Sequence, residues 1–283
     1  MVTVILYALS VLASTMQSAL GKSLGAGDDK NTFNLAKMLA AAVIFTFAAA
    51  VNFTFHFPTL CYGTAYGAFL FVSMLCGLAA LTSGPMAITS MLVSFSLIIP
   101  TLYGIIVLKE KVTVLGALGL VLICISFALI NLKPDSETRI SSKWLAFTVV
   151  TMMSNGMCSV IQKMHQSAYV GLYRSEFMMF ASLSSLALFL CVFAVSRIGK
   201  SNLPQRPIVY IKGFMAGITN GGANFLSLYL AATQPAAVLF PILSVCTSIA
   251  SLTAGRVIFK EKLRKLQLVG FAVGIVSLVL VKL

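Results

Sequence analysis

Acidic residues are scarce in this sequence: seven Asp and Glu stand among 283 residues, against twenty Lys and Arg. All seven (Asp28, Asp29, Glu110, Asp135, Glu137, Glu176 and Glu261) fall in connections or at the ends of apolar runs. With no carboxylate in the middle of a run, a proton relay of the usual buried Asp/Glu kind has no basis, Glu176 near a run start being the possible exception. Only two histidines occur, His56 and His165, and both lie near run ends, where an interfacial position accounts for them. The six cysteines form no CxxC pair and no Cys/His metal spacing, which excludes a disulfide framework and a zinc site. They read instead as small apolar residues. No GxxxxGK[ST] loop is present, so ATP is not the energy source, and no cofactor is expected.

Charge of either sign is also thin. Charged residues make up 10% of the chain and hydrophobic residues 59%, with a mean hydropathy of +0.99. A soluble domain carries about a quarter charged residues. Apolar runs of bilayer-spanning length recur at 2–23, 32–53, 61–83, 86–108, 112–132, 143–164, 175–196, 207–231, 236–259 and 266–283. Lipid offers the backbone no partners, so such runs must be helices or barrel strands. The unbroken apolar stretch VLGALGLVLICISFALI lacks the alternation of a strand. The longest polar connection, 133–143, is too short for a domain, so the expectation is an all-α integral membrane protein of ten spans. The first run has no basic segment before it and Lys22 follows it, so it reads as a span rather than a cleaved signal peptide.

The net charge of +13 raises the question of nucleic acid. The basic residues are scattered through short connections, with no basic arm or aromatic-studded sheet, and contact with lipid headgroups explains them better.

Two of the runs stop at the same charged word. KEKVTVLGALGLVLICISFALIN (109–131) and KEKLRKLQLVGFAVGIVSLVLVK (260–282) align without a gap at an offset of 151, with Gly119 and Ser126 matching Gly270 and Ser277. At an offset of 150, Gly63, Gly67 and Pro85 match Gly213, Gly217 and Pro235. At 141, Met16, Ser18 and Lys22 match Met157, Ser159 and Lys163. Matches in the same order along the chain imply two copies of a five-helix unit, 1–134 and 135–283. An odd number of spans inserts the second copy upside down, the inverted-repeat construction common in transporters.

Ten short-looped helices in two halves, with Glu110 and Glu261 at helix ends, Pro85 and Pro235 opening spans four and nine, and Lys22 and Lys163 closing spans one and six, resemble the drug/metabolite transporter superfamily, in particular its EamA-like branch. The family often reads Gly-Glu-Arg-Leu where this chain has Lys-Glu-Lys-Val and Lys-Glu-Lys-Leu. The glutamate is kept and its neighbours are not. The resemblance implies a permease of the plasma membrane, in a bacterial cell on the compactness of the chain, with export as the expected direction.

Gly63 with Gly67, and Gly213 with Gly217 and Gly221, put small residues four apart on a helix face, where helices can approach closely. Pro100 and Pro241 remove helix donors and free the carbonyls of Ser96 and Ala237, for a kink or a cavity lining. Polar side chains inside spans are costly and face the bundle interior. On that ground Ser14, Gln17, Ser94, Tyr103, Asn155, Asn220, Asn224 and Tyr229 are the candidate substrate-binding residues of a central pocket; the competing reading is simple interhelical hydrogen bonding. Amides, hydroxyls and aromatics suit a neutral or zwitterionic organic solute better than a hard cation. Lys22, Glu110, Lys163 and Glu261 are the candidate gating residues: spans six and four bring Lys163 and Glu110 to one face, and spans one and nine bring Lys22 and Glu261 to the other.

The expected function is a secondary transporter of a small organic metabolite, such as an amino acid, or of a drug-like amphiphile. It works by alternating access, with a proton as candidate coupling ion, as a monomer or homodimer. The alternative is an intramembrane or lipid-modifying enzyme, which would need paired intramembrane acids, a His-rich site or a Ser/Lys dyad. Sidedness divides the arguments. With the N-terminus inside, only Lys109, Lys111, Lys163, Arg174 and Lys282 of the twenty basic residues face inward, so the positive-inside rule puts the termini outside, whereas the resemblance puts them inside. Either way an even number of spans returns the chain to its starting side. Reporters fused at the two ends are expected to give the same side, and opposite sides would remove one span.

Overall fold

In a computed structural model the chain is described over residues 2–24, 29–83, 89, 92–131, 141–197, 206–258 and 265–282. It is helical, with no strand among the described residues. The helices are α1 (Val2–Lys22), α2 (Lys30–Ala50), α3 (Phe57–Ser83), α4 (Ile98–Ile106), α5 (Val114–Asn131), α6 (Ser142–Ala168), α7 (Arg174–Arg197), α8 (Pro207–Ala231), α9 (Ala236–Ile258) and α10 (Lys265–Lys282). Five of them, α1, α2, α3, α6 and α7, are long and apolar enough to cross a membrane. Their outward positions are apolar, Phe47 and Val195 among the most exposed.

Helix ends follow local chemistry. Asp29 caps α2, its carboxylate accepting from the Asn31 N–H at 3.0 Å and the Thr32 hydroxyl at 2.7 Å. Pro207 opens α8, where a missing N–H costs nothing. Ahead of α4, residues Phe95–Leu97 form a tighter 3-10 turn. Pro100 has no N–H to offer the Ser96 carbonyl, and the Ile98 N–H donates to both the Phe95 and the Ser96 carbonyls.

Two compact units result, each drawing on both halves of the sequence. The first comprises residues 1–71 and 164–232; the second comprises 72–163 and 233–283. In the first unit, α8 lies against α2 along its glycine stripe. A methyl group built on Gly213 would stand 2.7 Å from the Phe33 carbonyl oxygen and 2.7 Å from the Ala36 side chain. One on Gly217 would strike the Lys37 carbonyl and the Ala40 side chain. The α3–α7 contact in the same unit repeats this pattern residue for residue. A methyl group on Gly63 would stand 2.9 Å from the Phe177 carbonyl oxygen and 2.8 Å from the Phe180 side chain, and one on Gly67 would strike the Ala181 carbonyl and the Ser184 side chain. Phe33, Ala36, Lys37 and Ala40 thus correspond to Phe177, Phe180, Ala181 and Ser184 at a constant offset of 144.

The second unit shows the same reciprocity within one helix pair. A methyl group on Gly119 would stand 2.9 Å from the Ser277 carbonyl, while the Ser126 hydroxyl donates to the Gly270 carbonyl at 2.7 Å. Gly119 and Gly270 are equivalents at the 151 offset, and so are Ser126 and Ser277. Residue i of one helix touches j of the other, and j touches i, as a twofold contact requires. Leu97, Ile123, Phe127, Val245 and Val281 form the apolar core beside this pair.

Because the Lys37 carbonyl opposite Gly217 is backbone, it cannot give way to a side chain. Gly217→Ala is expected to destabilise the protein by about 1–3 kcal/mol. Gly222→Ala, where an added methyl group meets nothing within 4 Å, should cost nothing. Thermal unfolding of the two variants in detergent checks the contrast.

Candidate functional site

Most of the expected substrate-binding residues are half-buried and paired. In the first unit, Asn220 on α8 donates from Nδ2 to Gln17 Oε1 on α1 at 2.8 Å. One turn further along α8, Asn224 Oδ1 accepts from the Tyr66 hydroxyl of α3 at 3.1 Å. Below them Tyr229 lies under the Arg174 guanidinium of α7, 4.1 Å from the ring centroid, a cation–π contact. Ser10 donates to the Ala223 carbonyl at 3.3 Å, and the carbonyl of Ser14 accepts from the Ser18 hydroxyl. One face of α8 therefore carries a row of polar contacts reaching α1, α3 and α7. In the Gln17–Asn220 pair each amide spends one group on the other. The Gln17 amide nitrogen and the Asn220 carbonyl are left as a donor and an acceptor.

Asn155, Ser94 and Tyr103 belong to the second unit. Asn155 Oδ1 accepts from the Ser73 hydroxyl at 2.6 Å, while Ser94 and Tyr103 are half-buried around α4.

The second unit also brings Glu110 and Lys163 together, 3.5 Å apart and with both side chains largely shielded. Glu110 reaches this position because Lys109 takes a left-handed backbone conformation, φ 51°, uncommon for a residue with a side chain. That turn folds the chain back onto α4, and the Glu110 N–H donates to the Gly104 carbonyl at 3.0 Å. Gly104 leaves the room the carboxylate needs, since a methyl group there would stand 2.5 Å from Glu110 Oε2. The carboxylate then seats on the start of α9, accepting from the Ala236 N–H at 2.9 Å and the Ala237 N–H at 3.0 Å. Two otherwise unpaired amides and the positive end of the helix dipole hold it there, with Lys163 as the third positive partner. Lys163 in turn donates to the Gln234 carbonyl at 2.6 Å. Glu261 lies outside the described residues, as does the side chain of Lys22.

A further cluster has no counterpart in the sequence reading. His56 Nδ1 lies 2.9 Å from the Thr59 hydroxyl, which lies 3.0 Å from His165 Nε2. His165 Nδ1 faces Gln166 Nε2 at 3.0 Å, and Gln166 Oε1 accepts from the Gly171 N–H and Arg174 Nε, both at 3.2 Å. The His56 ring stacks on Tyr173 at 4.4 Å and meets the edge of Tyr169 at 4.6 Å. Glu176, buried, accepts from the Thr54 N–H at 3.3 Å. Two left-handed residues, Gly171 and Tyr173, close the turn that carries these groups. The density of His and Tyr in HFPTLCY and HQSAYVGLYRSE is the one sequence signal that could have flagged it.

No family model matches the chain, and no curated protein matches it. The fold is nonetheless shared with a solved structure described only as "Crystal structure of protein". It has a TM-score of 0.81 at 12% identity over 99% of this chain and 98% of that one.

Glu110→Ala would leave the Ala236 and Ala237 amides without an acceptor. Their hydrogen exchange is expected to rise about tenfold, the effect of losing a helix cap. Glu110→Gln, which keeps one acceptor oxygen, should raise it less.

Proposed function

We propose that this chain is a secondary transporter working by alternating access, built of ten membrane spans in two inverted five-helix repeats, 1–134 and 135–283, and similar in this construction to EamA-like permeases. The observation that carries the reading is the reciprocal packing. α2 meets α8 through the same backbone atoms by which α7 meets α3, and Gly119 with Ser277 mirrors Gly270 with Ser126. Contacts exchanged in this way are what a pseudo-twofold axis between two copies produces, and inverted repeats of this kind are a transporter construction. The five long apolar helices and their exposed apolar faces support the membrane setting.

The solute is a small neutral or zwitterionic organic molecule. The polar row on α8 supports this, because its Gln17–Asn220 and Asn224–Tyr66 pairs are uncharged. Solute binding would compete with these pairs, and breaking an interhelical amide pair is one way for a bound molecule to loosen a helix contact.

Glu110 and Lys163 act as a latch on one face. A carboxylate held by two helix-end amides and an ammonium is stable where water is excluded, and the two amides are lost when the N-terminus of α9 moves away. The matching role for Lys22 and Glu261 rests on the sequence repeat.

Purified protein in proteoliposomes, screened by counterflow over amino acids, nucleosides and cationic dyes, tests the function. Exchange of a labelled neutral solute, abolished by heat denaturation, is the expected result. Product formation without solute flux would replace the transporter by a membrane enzyme. For the latch, Glu110→Gln should change the counterflow rate at least several-fold. An unchanged rate and unchanged cysteine accessibility at this face would remove it.

A further inference from the structure

The chain's only two histidines lie in one hydrogen-bonded line, and the line has a fixed polarity. Gln166 sets it. Its carbonyl oxygen accepts from two obligate donors, the Gly171 N–H and Arg174 Nε, so its amide nitrogen is the group that faces His165 Nδ1. That nitrogen also donates to the Leu172 carbonyl at 3.5 Å. His165 Nδ1 must therefore accept, which puts the ring proton on Nε2, where it donates to the Thr59 hydroxyl oxygen. The Thr59 hydroxyl donates to His56 Nδ1, and His56 keeps its ring proton on Nε2. Each hydrogen bond in the line then has one donor and one acceptor, and the line ends at the Nδ1 lone pair of His56, which accepts from Thr59.

We propose that His56 is a proton-binding site of this protein, taking its proton at Nδ1 where the ring meets Thr59 of the His56–Thr59–His165–Gln166 line, and that it serves as the coupling site for transport. When a hydronium or buffer acid delivers its proton, its O–H bond breaks and an Nδ1–H bond forms on His56. The new N–H points at the Thr59 oxygen, which has a second lone pair to receive it once the hydroxyl hydrogen rotates away. The same proton on His165 Nδ1 would face the Gln166 N–H. Turning that amide over would set its NH2 against Gly171 and Arg174 instead. Access agrees with this order: His56 is half-buried, whereas His165 and Thr59 are 0% exposed.

Aromatic rings surround His56. Its ring lies flat on Tyr173, with planes 5° apart, and against the edge of Tyr169, so an imidazolium there meets an aromatic face. The charged neighbours are accounted for. Arg174 is committed to Gln166 and to the Tyr229 ring. Glu176 holds the Thr54 N–H, two residues before His56, tying that segment to the start of α7. Tyr62 packs against His165 rather than His56. The coupling role rests on the transport reading above; the proton site does not.

Two histidines make the test direct. In protein labelled with 15N-histidine and held in lipid nanodiscs, ring nitrogen shifts report the tautomer and charge of each ring across about pH 5 to 8. Both rings are expected as the Nε2–H tautomer at the alkaline end, and His56 alone to become imidazolium as the pH falls. His165 charging first, or neutral His56 carrying its proton on Nδ1, overturns the proposal. In Thr59→Val the neutral His56 ring should lose its single tautomer; unchanged spectra count against the line. Gln166→Glu turns the donor facing His165 into an acceptor and should move the His165 proton to Nδ1. Failure to move it also overturns the assignment, because a merely structural Gln166 would not set a tautomer. None of these readings needs a solute. Absence of counterflow with the expected spectra removes transport and leaves the proton site, while intact counterflow with contrary spectra removes only the site.

Discussion

Close approach of backbones at glycine is the contact on which the rest of this structure depends. Lipid tails are as apolar as leucine, so burying aliphatic side chains does little to hold spans together, and dispersion at short range must do more of the work. Gly213 and Gly217 let α8 rest directly on the carbonyls of Phe33 and Lys37; Gly63 and Gly67 do the same for α3 on those of Phe177 and Ala181. The Gln17–Asn220 and Tyr66–Asn224 pairs then join α8 to α1 and to α3. Lys37 is buried in the same contact.

The polar groups fall into two kinds of arrangement with different physical uses. Neutral pairs across helices are weak enough to exchange partners, which suits recognition of a solute. The Glu110 seat on α9 and the His56–Thr59–His165 line involve ionisable groups whose partners are specified donor by donor.

Much of this was legible in the sequence, and the reasons it was not all legible are specific. Helix positions followed from the length of the apolar runs, and the glycine and proline spacings predicted close packing and the disturbance before Pro100. The ion pair of Glu110 with Lys163 was expected from the direction in which spans four and six run. That the carboxylate also caps α9 was not, because it depends on the left-handed turn at Lys109, a residue with no intrinsic preference for it. The histidine line escaped for a similar reason. His56 and His165 are 109 positions apart, and only the turn at Gly171 and Tyr173 brings Gln166 and Arg174 into register beside them. Sequence periodicity encodes which face of a helix is buried. It does not encode what a tight turn places opposite that face.

The central claim is that the two halves are copies of one unit inserted in opposite senses. Single cysteines introduced at Asp28, between α1 and α2, and at Val170, between α6 and α7, occupy equivalent connections of the two copies. Labelled in sealed vesicles with a membrane-impermeant maleimide, in a background without the six native cysteines, they should react from opposite sides. Reaction of both from the same side would contradict the inverted repeat and the transport mechanism built on it.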